Sequence, residues 1–405
     1  MNASVEAVPA VRHQGHLAPV TAPDGVVREG MLDVPGEVSL YHGGRLSGIR
    51  IAWRLAGPAN APVVCALGGI SANRRVFGTE ELPHGAPALA HGASGVAHGS
   101  SALAHGASGL THGAPGLTHG PSGLAHGAPG LANRASGPRQ GWWSEIVGPG
   151  RPLDADRFRV LSFDYLGGSA ETTGPLPGGS FPNISTYDQA ELLVRLLNNL
   201  GLKSLRAIVG GSYGGMVALA FGERYPERVS QLVVISAADR THPMATAWRS
   251  VQRRVLRFGI ESGQPKEGLQ LARALAMSTY RSSEEFEARF DGAPERDGER
   301  FLFPVERYLF ARGSDFADRH TAEAILCLSE SIDLHRVDAS RIFVPTTIVA
   351  VREDQLVPLS DLRGLAARLP VVKLHEISSI YGHDAFLKES DQLRGIFNAA
   401  LGGAA

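Results

Sequence analysis

Gly210-Gly211-Ser212-Tyr213-Gly214 sets a serine among glycines in the pattern G-x-S-x-G. An apolar, strand-like run (LRAIVGG, 205–211) leads into it, and a helix-like run (MVALAFGERYP, from 216) follows. In that strand–turn–helix setting the serine is held on a sharp turn with its hydroxyl presented, and small neighbours are needed because strand and helix pass close together. A glycine-rich turn with an incidental serine is the competing reading, and the flanking elements weigh against it. A serine hydroxyl is a weak nucleophile at neutral pH and needs a base. Downstream, VAVRED runs into Asp354, and SSIYGHDAFL carries His383 on a loop. The chain order serine, acid, histidine is the one this turn type accompanies. His242 and His320 lie in or beside a helical segment, His335 precedes the returning strands, and His375 falls inside a strand, so all four are weaker bases. Glu353 is the nearby rival for the acid. An oxyanion needs two backbone N–H donors. Tyr213 supplies one, and the loop after CALGG supplies the other around Leu67 to Ile70, with Leu67 and Gly68 as the named candidates.

Strands alternate with a helical pattern around these residues. IAWRLAG (51–57), PVVCALGG (62–69), FRVLSFDYLG (158–167), LRAIVGG (205–211) and LVVISAA (232–238) read as strands. Leu192, Leu193, Leu196, Leu197 and Leu200 recur at helical spacing in 187–201, and Gly201 marks a stop. After residue 241 helical patterns take over without a convincing strand, and strands return in FVPTTIVAV (343–351) and VVKLHEIS (371–378). The fold class is α/β: an α/β-hydrolase fold with a mostly parallel central sheet, helices on both faces and a helical lid insertion. The domain reading is a flexible tail over 1–35, a core over 36–240 and 341–405, an inserted loop over 78–140, and a lid over 241–340 that shields the site from water.

Composition narrows the partners. The 405 residues carry 40 acidic and 39 basic side chains, net charge −1, which gives no electrostatic reason to expect nucleic acid or an anionic membrane. No apolar run is long enough to span a bilayer, and the N-terminal residues show no secretory pattern. Cys65 and Cys327 sit in apolar stretches and read as buried thiols. A cytoplasmic enzyme fits. The inserted loop is of another kind: histidines at 84, 91, 98, 105, 112, 119 and 126 repeat every seventh residue, each followed by glycine. Glycine and proline exclude a coiled coil. Shared metal binding is one reading of the repeat, and a metal-binding or interaction protein built on it is the alternative of a different class. A dispensable low-complexity loop is the preferred reading, so no metal site is assigned.

Several motifs in register resemble the homoserine O-acyltransferases, acetyl or succinyl, of methionine biosynthesis. They are GWWSEIVGPGRPLDADRFRVL (141–161), TTGP (172–175), GGSYGGM (210–216), YPERV (225–229), D-x-L-x-P (354–358) and GHDAFL (382–387). The resemblance implies that Ser212 takes an acyl group from acyl-CoA, with His383 as base and Asp354 as its orienting acid, and passes it to L-homoserine in a ping-pong scheme. It also implies that Arg273 pairs with the amino-acid carboxylate and Asp384 with the ammonium group. It implies no cofactor beyond acyl-CoA as co-substrate, and a homodimer formed through the lid helices.

The chain departs from the family at Gly211, usually asparagine, at Tyr213, usually a smaller apolar residue, and at Asp164 of Asp164-Tyr165-Leu166-Gly167, also usually asparagine. Leu356 stands where an arginine accompanies succinyl-CoA use, which favours acetyl-CoA, although Arg281 or Arg352 could supply the cation instead. Serine as acceptor, and an esterase or other hydrolase with the same three residues, are the alternatives within the fold. Deletion of residues 84–132 is expected to leave turnover unchanged in a steady-state assay, and lost activity would make the repeat functional.

Overall fold

The computed structural model describes residues 27–78 and 141–402; the histidine repeat lies outside them. Eight strands form the main sheet: β1 (Val27–Asp33), β2 (Arg50–Ala56), β3 (Val63–Leu67), β4 (Arg159–Phe163), β5 (Ala207–Gly211), β6 (Leu232–Ile235), β7 (Thr346–Val351) and β8 (Val372–Ile377). Their spatial order is β1-β2-β4-β3-β5-β6-β7-β8. β2 runs antiparallel to both its neighbours, and the pairs from β4 through β8 are parallel. The strand ends that carry Ser212, Asp354 and the loop to His383 therefore share one edge of the sheet.

Every residue of β3, β5, β6 and β7 is buried, the signature of parallel strands covered on both faces. Alternation divides the contacts. Cys65, Ile208, Val234 and Ile348 face α1 (Thr186–Asn199) and α2 (Tyr213–Arg224), where Leu192, Leu196, Val217 and Phe221 meet them. Val64, Val209, Val233 and Val349 face the opposite layer. α1 starts with a reciprocal cap in which the Ser185 hydroxyl accepts from Asp188 N–H and the Asp188 carboxylate accepts from Ser185 N–H. Both cysteines are free; Cys65 is buried and Cys327 half-buried.

The lid comprises α3 (Pro243–Glu261), α4 (Pro265–Tyr280), α5 (Ser283–Phe290), α6 (Pro304–Ala317) and α7 (Ala322–Asp333). It carries its own small core of Leu256, Leu269, Ala272, Phe316 and Ile325. Beyond it, α8 (Leu359–Ala366) follows β7, and α9 (Ala385–Lys388) and α10 (Ser390–Leu401) close the chain. Leu393, Ile396 and Phe397 of α10 fill the second face of the sheet.

Two expectations are corrected. Residues 27–33, read as tail, form the edge strand β1, in register with β2 from Val27↔Ala56 to Asp33↔Arg50. No residue of β1 is fully buried, so its own sequence carries little periodicity, and the pairing comes from β2. The lid, read as wholly helical, contains a hairpin, Glu295–Asp297 with Arg300–Leu302. Its strands are three residues long and mostly exposed, too short to leave a pattern.

Candidate active site

β5 ends in Gly211 and α2 begins at Tyr213, which leaves one residue to turn the chain. Ser212 makes that turn at φ +54°, a left-handed conformation that side chains other than glycine rarely adopt. The flanking glycines allow it. A Cβ on Gly210 would fall 2.3 Å from the Gly214 carbonyl oxygen, and one on Gly214 would fall 2.5 Å from the Leu67 backbone. Serine at a helix N-cap ordinarily accepts from the first turn, but Ser212 makes no such bond. Its Oγ lies 2.8 Å from His383 Nε2 instead.

His383 Nδ1 lies 2.8 Å from Asp354 Oδ2. A carboxylate only accepts, so Nδ1 carries the proton and Nε2 is left to accept from Ser212. Asp354 is held in turn: its Oδ1 accepts from Leu356 N–H at 2.9 Å and Val357 N–H at 3.0 Å. Burial disfavours a charged His383, but the adjoining Asp354 outweighs burial and sets its pKa above the usual histidine value.

The rivals are accounted for. Glu353 accepts from the Ser378 hydroxyl and the Ser379 N–H, bracing the loop before His383. His242 caps α3, and His320 stacks on Phe316. His335 bonds Thr186 and the Ala238 carbonyl, and burial lowers its pKa to about 3. His375 lies within β8.

For an oxyanion, the Tyr213 N–H and the Gly68 N–H have no acceptor among the described residues. Leu67 is the last residue of β3. The loop behind it is fixed: the Gly68 carbonyl accepts from Gly214 N–H and from the Tyr165 hydroxyl, each at 2.8 Å. Asp164, fully buried, accepts from Arg74 N–H at 2.7 Å and pairs with the Arg74 guanidinium, which ties the same loop to the end of β4. The aspartate in place of the family's asparagine thus has a buried cation to neutralise it.

The other departures are also built in. A Cβ on Gly211 would lie 2.7 Å from the Phe386 ring, so that ring takes the space a side chain would use. Tyr213 points into the lid, its hydroxyl 2.7 Å from Ser331 Oγ on α7. Leu356 is buried in the core and contributes its N–H to Asp354.

Arg273 of α4 lies over two rings, 5.1 Å from the Tyr280 centroid and 4.5 Å from that of Phe316, and donates to the Tyr280 hydroxyl at 3.3 Å. No carboxylate pairs with it among the described residues. Tyr280 in turn lies 6.1 Å from the His383 ring. Asp384 adjoins His383, but its Oδ2 accepts from Arg281 Nε at 2.9 Å. Sequence reasoning missed that pair, as well as the Tyr280 ring and the half-buried acid Asp333 on α7.

The sheet order and the Ser–His–Asp chain at its carboxyl edge are those of an α/β hydrolase, and the profile of that fold family matches residues 124–390. Among curated proteins, the chain is similar to the homoserine O-succinyltransferase of Xanthomonas campestris pv. campestris: 44% identity over 265 residues, spanning 65% of this chain and 70% of that protein. It is also similar to the homoserine O-acetyltransferase of Thermus thermophilus, 38% identical over 285 residues, spanning 65% and 72%. The solved homoserine O-acetyltransferase of Bacillus anthracis shares the fold with a TM-score of 0.72, over 93% of this chain and 98% of that one, at 16% identity. The chain belongs to the homoserine O-acyltransferase family.

A base must be neutral to accept a proton, so function through His383 is present above its pKa and lost as pH falls through it. The raised value puts that acid limb above about 6.5, the unperturbed histidine value. Asp354→Asn removes the raising charge while burial remains. The limb is expected to move to lower pH, and kcat to fall by about 10³–10⁴. Turnover of p-nitrophenyl acetate with L-homoserine as acceptor, followed across pH, measures both, and an unshifted profile in the variant would refute the assignment of His383.

Proposed function

We propose that this protein transfers an acyl group from a coenzyme A thioester to the hydroxyl of L-homoserine through an acyl-Ser212 intermediate, a step of methionine biosynthesis. The observation that carries the reading is a Ser212–His383–Asp354 chain with an unpaired guanidinium and a carboxylate beside it. A hydrolase needs only the first; reading an amino acid needs both charges. In the first half-reaction His383 Nε2 takes the Ser212 proton as Oγ bonds to the thioester carbonyl carbon. The oxyanion is received by the Tyr213 N–H and a donor at Leu67 or Gly68, near the positive end of α2. Collapse breaks the C–S bond, and His383 returns the proton to the leaving sulfur, giving free coenzyme A.

In the second half-reaction His383 takes the homoserine hydroxyl proton as that oxygen attacks the acyl carbon. The bond to Ser212 Oγ breaks, the proton returns to Ser212, and the ester leaves. Arg273 is suited to the substrate carboxylate, its planar guanidinium already oriented by two rings. Asp384 is suited to the ammonium group: its Oδ1 has no partner among the described residues.

Incubation with acyl-CoA is expected to release coenzyme A beyond one equivalent per Ser212 only when L-homoserine is added, with L-serine as the competing acceptor, and Ser212→Ala is expected to abolish release with the fold intact by circular dichroism. Equal multiple turnover without any acceptor would make the protein a thioesterase and sink the transferase reading.

We further infer a homodimer through the lid. Met244, Val251 and Phe258 recur every seven residues along α3 and are 51%, 55% and 64% exposed. They lie along one side of the helix surface, with the exposed Arg254 between the last two. Sedimentation velocity is expected to show a dimer at micromolar concentration that Phe258→Glu weakens; a monomeric parent protein would refute it.

A further inference from the structure

A chain of charges ties the lid to the loop that carries His383, and it ends on Asp384. It starts at the joint between α4 and α5, where Arg281 is extended and Ser282 caps α5 by accepting from Glu285 N–H. Ser282-x-x-Glu285 has the spacing of a capping box, in which the glutamate bonds the N–H of the cap residue. Here that N–H, at 3.2 Å, and the Ser282 hydroxyl, at 2.7 Å, both donate to the Ile380 carbonyl instead. Glu285 is thereby released to face Arg281 and Arg289, four residues before and four after it. Its Oε1 accepts from both, at 3.0 and 2.8 Å.

Arg281 continues the chain. Its Nε donates to Asp384 Oδ2 at 2.9 Å, and its guanidinium lies 5.2 Å from the Tyr381 ring centroid. Gly382 lets the two segments close up, since a Cβ there would fall 2.8 Å from the Tyr280 carbonyl oxygen. Residues 280–282 of the lid are thus fastened to the turn that holds His383 and Asp384. Stability does not account for the arrangement. The Glu285 and Arg281 side chains are 4% and 13% exposed, and Glu285 Oε2 is sealed without a partner. Buried ion pairs add little over apolar residues of the same size, and an orphaned oxygen subtracts from that. What the chain achieves is direction. A carboxylate turns readily about its last torsion, and a bond to one oxygen fixes where the other points.

Resting on the acyl-transfer reading above, we propose that Arg281 is a positioning residue for the acceptor: braced by Glu285, it holds Oδ2 of Asp384 so that Oδ1 is presented to the substrate's ammonium group. Arg281 itself touches neither the acyl group nor the acceptor. Its contribution is selective. It favours an acceptor that carries an amino group over one that carries only the hydroxyl and the carboxylate.

The test is kcat/KM for L-homoserine and for 4-hydroxybutyrate, the same molecule without its amino group, with whichever of acetyl-CoA and succinyl-CoA the parent protein turns over faster. The parent is expected to favour homoserine by about tenfold or more, as for a charge-assisted hydrogen bond. Arg281→Met is expected to bring the two acceptors within about threefold of each other, with the loss falling on KM for homoserine. Arg281→Lys keeps the charge but not the fork that reaches both acids, and is expected to fall between; it carries the test if the methionine variant does not fold. With Asp384→Asn already present, Arg281→Met is expected to change the ratio no further, because it acts through that carboxylate. An equal loss for both acceptors in Arg281→Met would make the chain a structural tie and overturn the inference. An undiminished ratio would do the same, as would an equal fall with Asp384→Asn present. A parent that uses the two acceptors equally would overturn it and leave acyl transfer standing. Absence of acceptor-dependent release in the parent would sink the transferase reading as well.

Discussion

The close approach of α2 to the end of β3 constrains everything around the site. Gly214 lies against the Leu67 backbone, and Gly210 lies against Gly214 itself. Only because no side chains intervene can a single residue reverse the chain and hold Ser212 at positive φ. Such a conformation costs about 1–3 kcal/mol and persists where the surroundings over-determine it. Here the surroundings are a fully buried parallel sheet, with Ser212 N–H bonded to the Ile235 carbonyl of β6. The return is positional: a hydroxyl that would otherwise cap α2 is aimed at His383, and the first N–H of the helix is left unclaimed beside it.

Around that turn each charge is matched to a purpose. Asp354 spends one oxygen on the backbone N–H groups of Leu356 and Val357 and the other on His383, so the imidazole has little freedom to rotate. Arg74 and Asp164 neutralise each other in the interior and fix the loop that bears the second oxyanion donor. Arg281, Glu285, Arg289 and Asp384 form a balanced chain at the rim. Arg273 and Arg249 differ from these: one lacks a carboxylate, the other shares one.

Much of this was legible in the sequence because it is local or ordered along the chain. The elbow is contiguous, and Asp354 and His383 each follow a strongly apolar strand, so spacing alone put them on one edge. The strands of the sheet and the helical lid follow from periodicity in the same way. β1 was not legible, since an edge strand with no buried residue borrows its order from β2. The Arg249–Asp333 and Arg281–Asp384 pairs span 84 and 103 residues, and nothing in either partner's neighbourhood announces the other. Leu356 was singled out for its side chain, whereas its N–H is what touches the site. The departures at Gly211 and Tyr213 made sense only with their neighbours in place, the Phe386 ring for one and Ser331 for the other.

The two chain segments that flank the histidine repeat meet face to face. Trp142 N–H donates to the Arg75 carbonyl, and Trp143 N–H to that of Val76. Gly141 passes so near that a Cβ there would fall 2.2 Å from Phe77 N. The Trp142 indole donates to the Asn73 carbonyl, and the Trp143 indole to that of Phe386. The ends of the intervening chain are thus clamped by the core itself, whatever runs between them. For a segment closed this way the entropy of closure grows only with the logarithm of its length, about 0.6 kcal/mol for each doubling. A seven-residue unit can therefore be copied or lost at this point almost without thermodynamic consequence. The clamp makes the locus permissive to expansion.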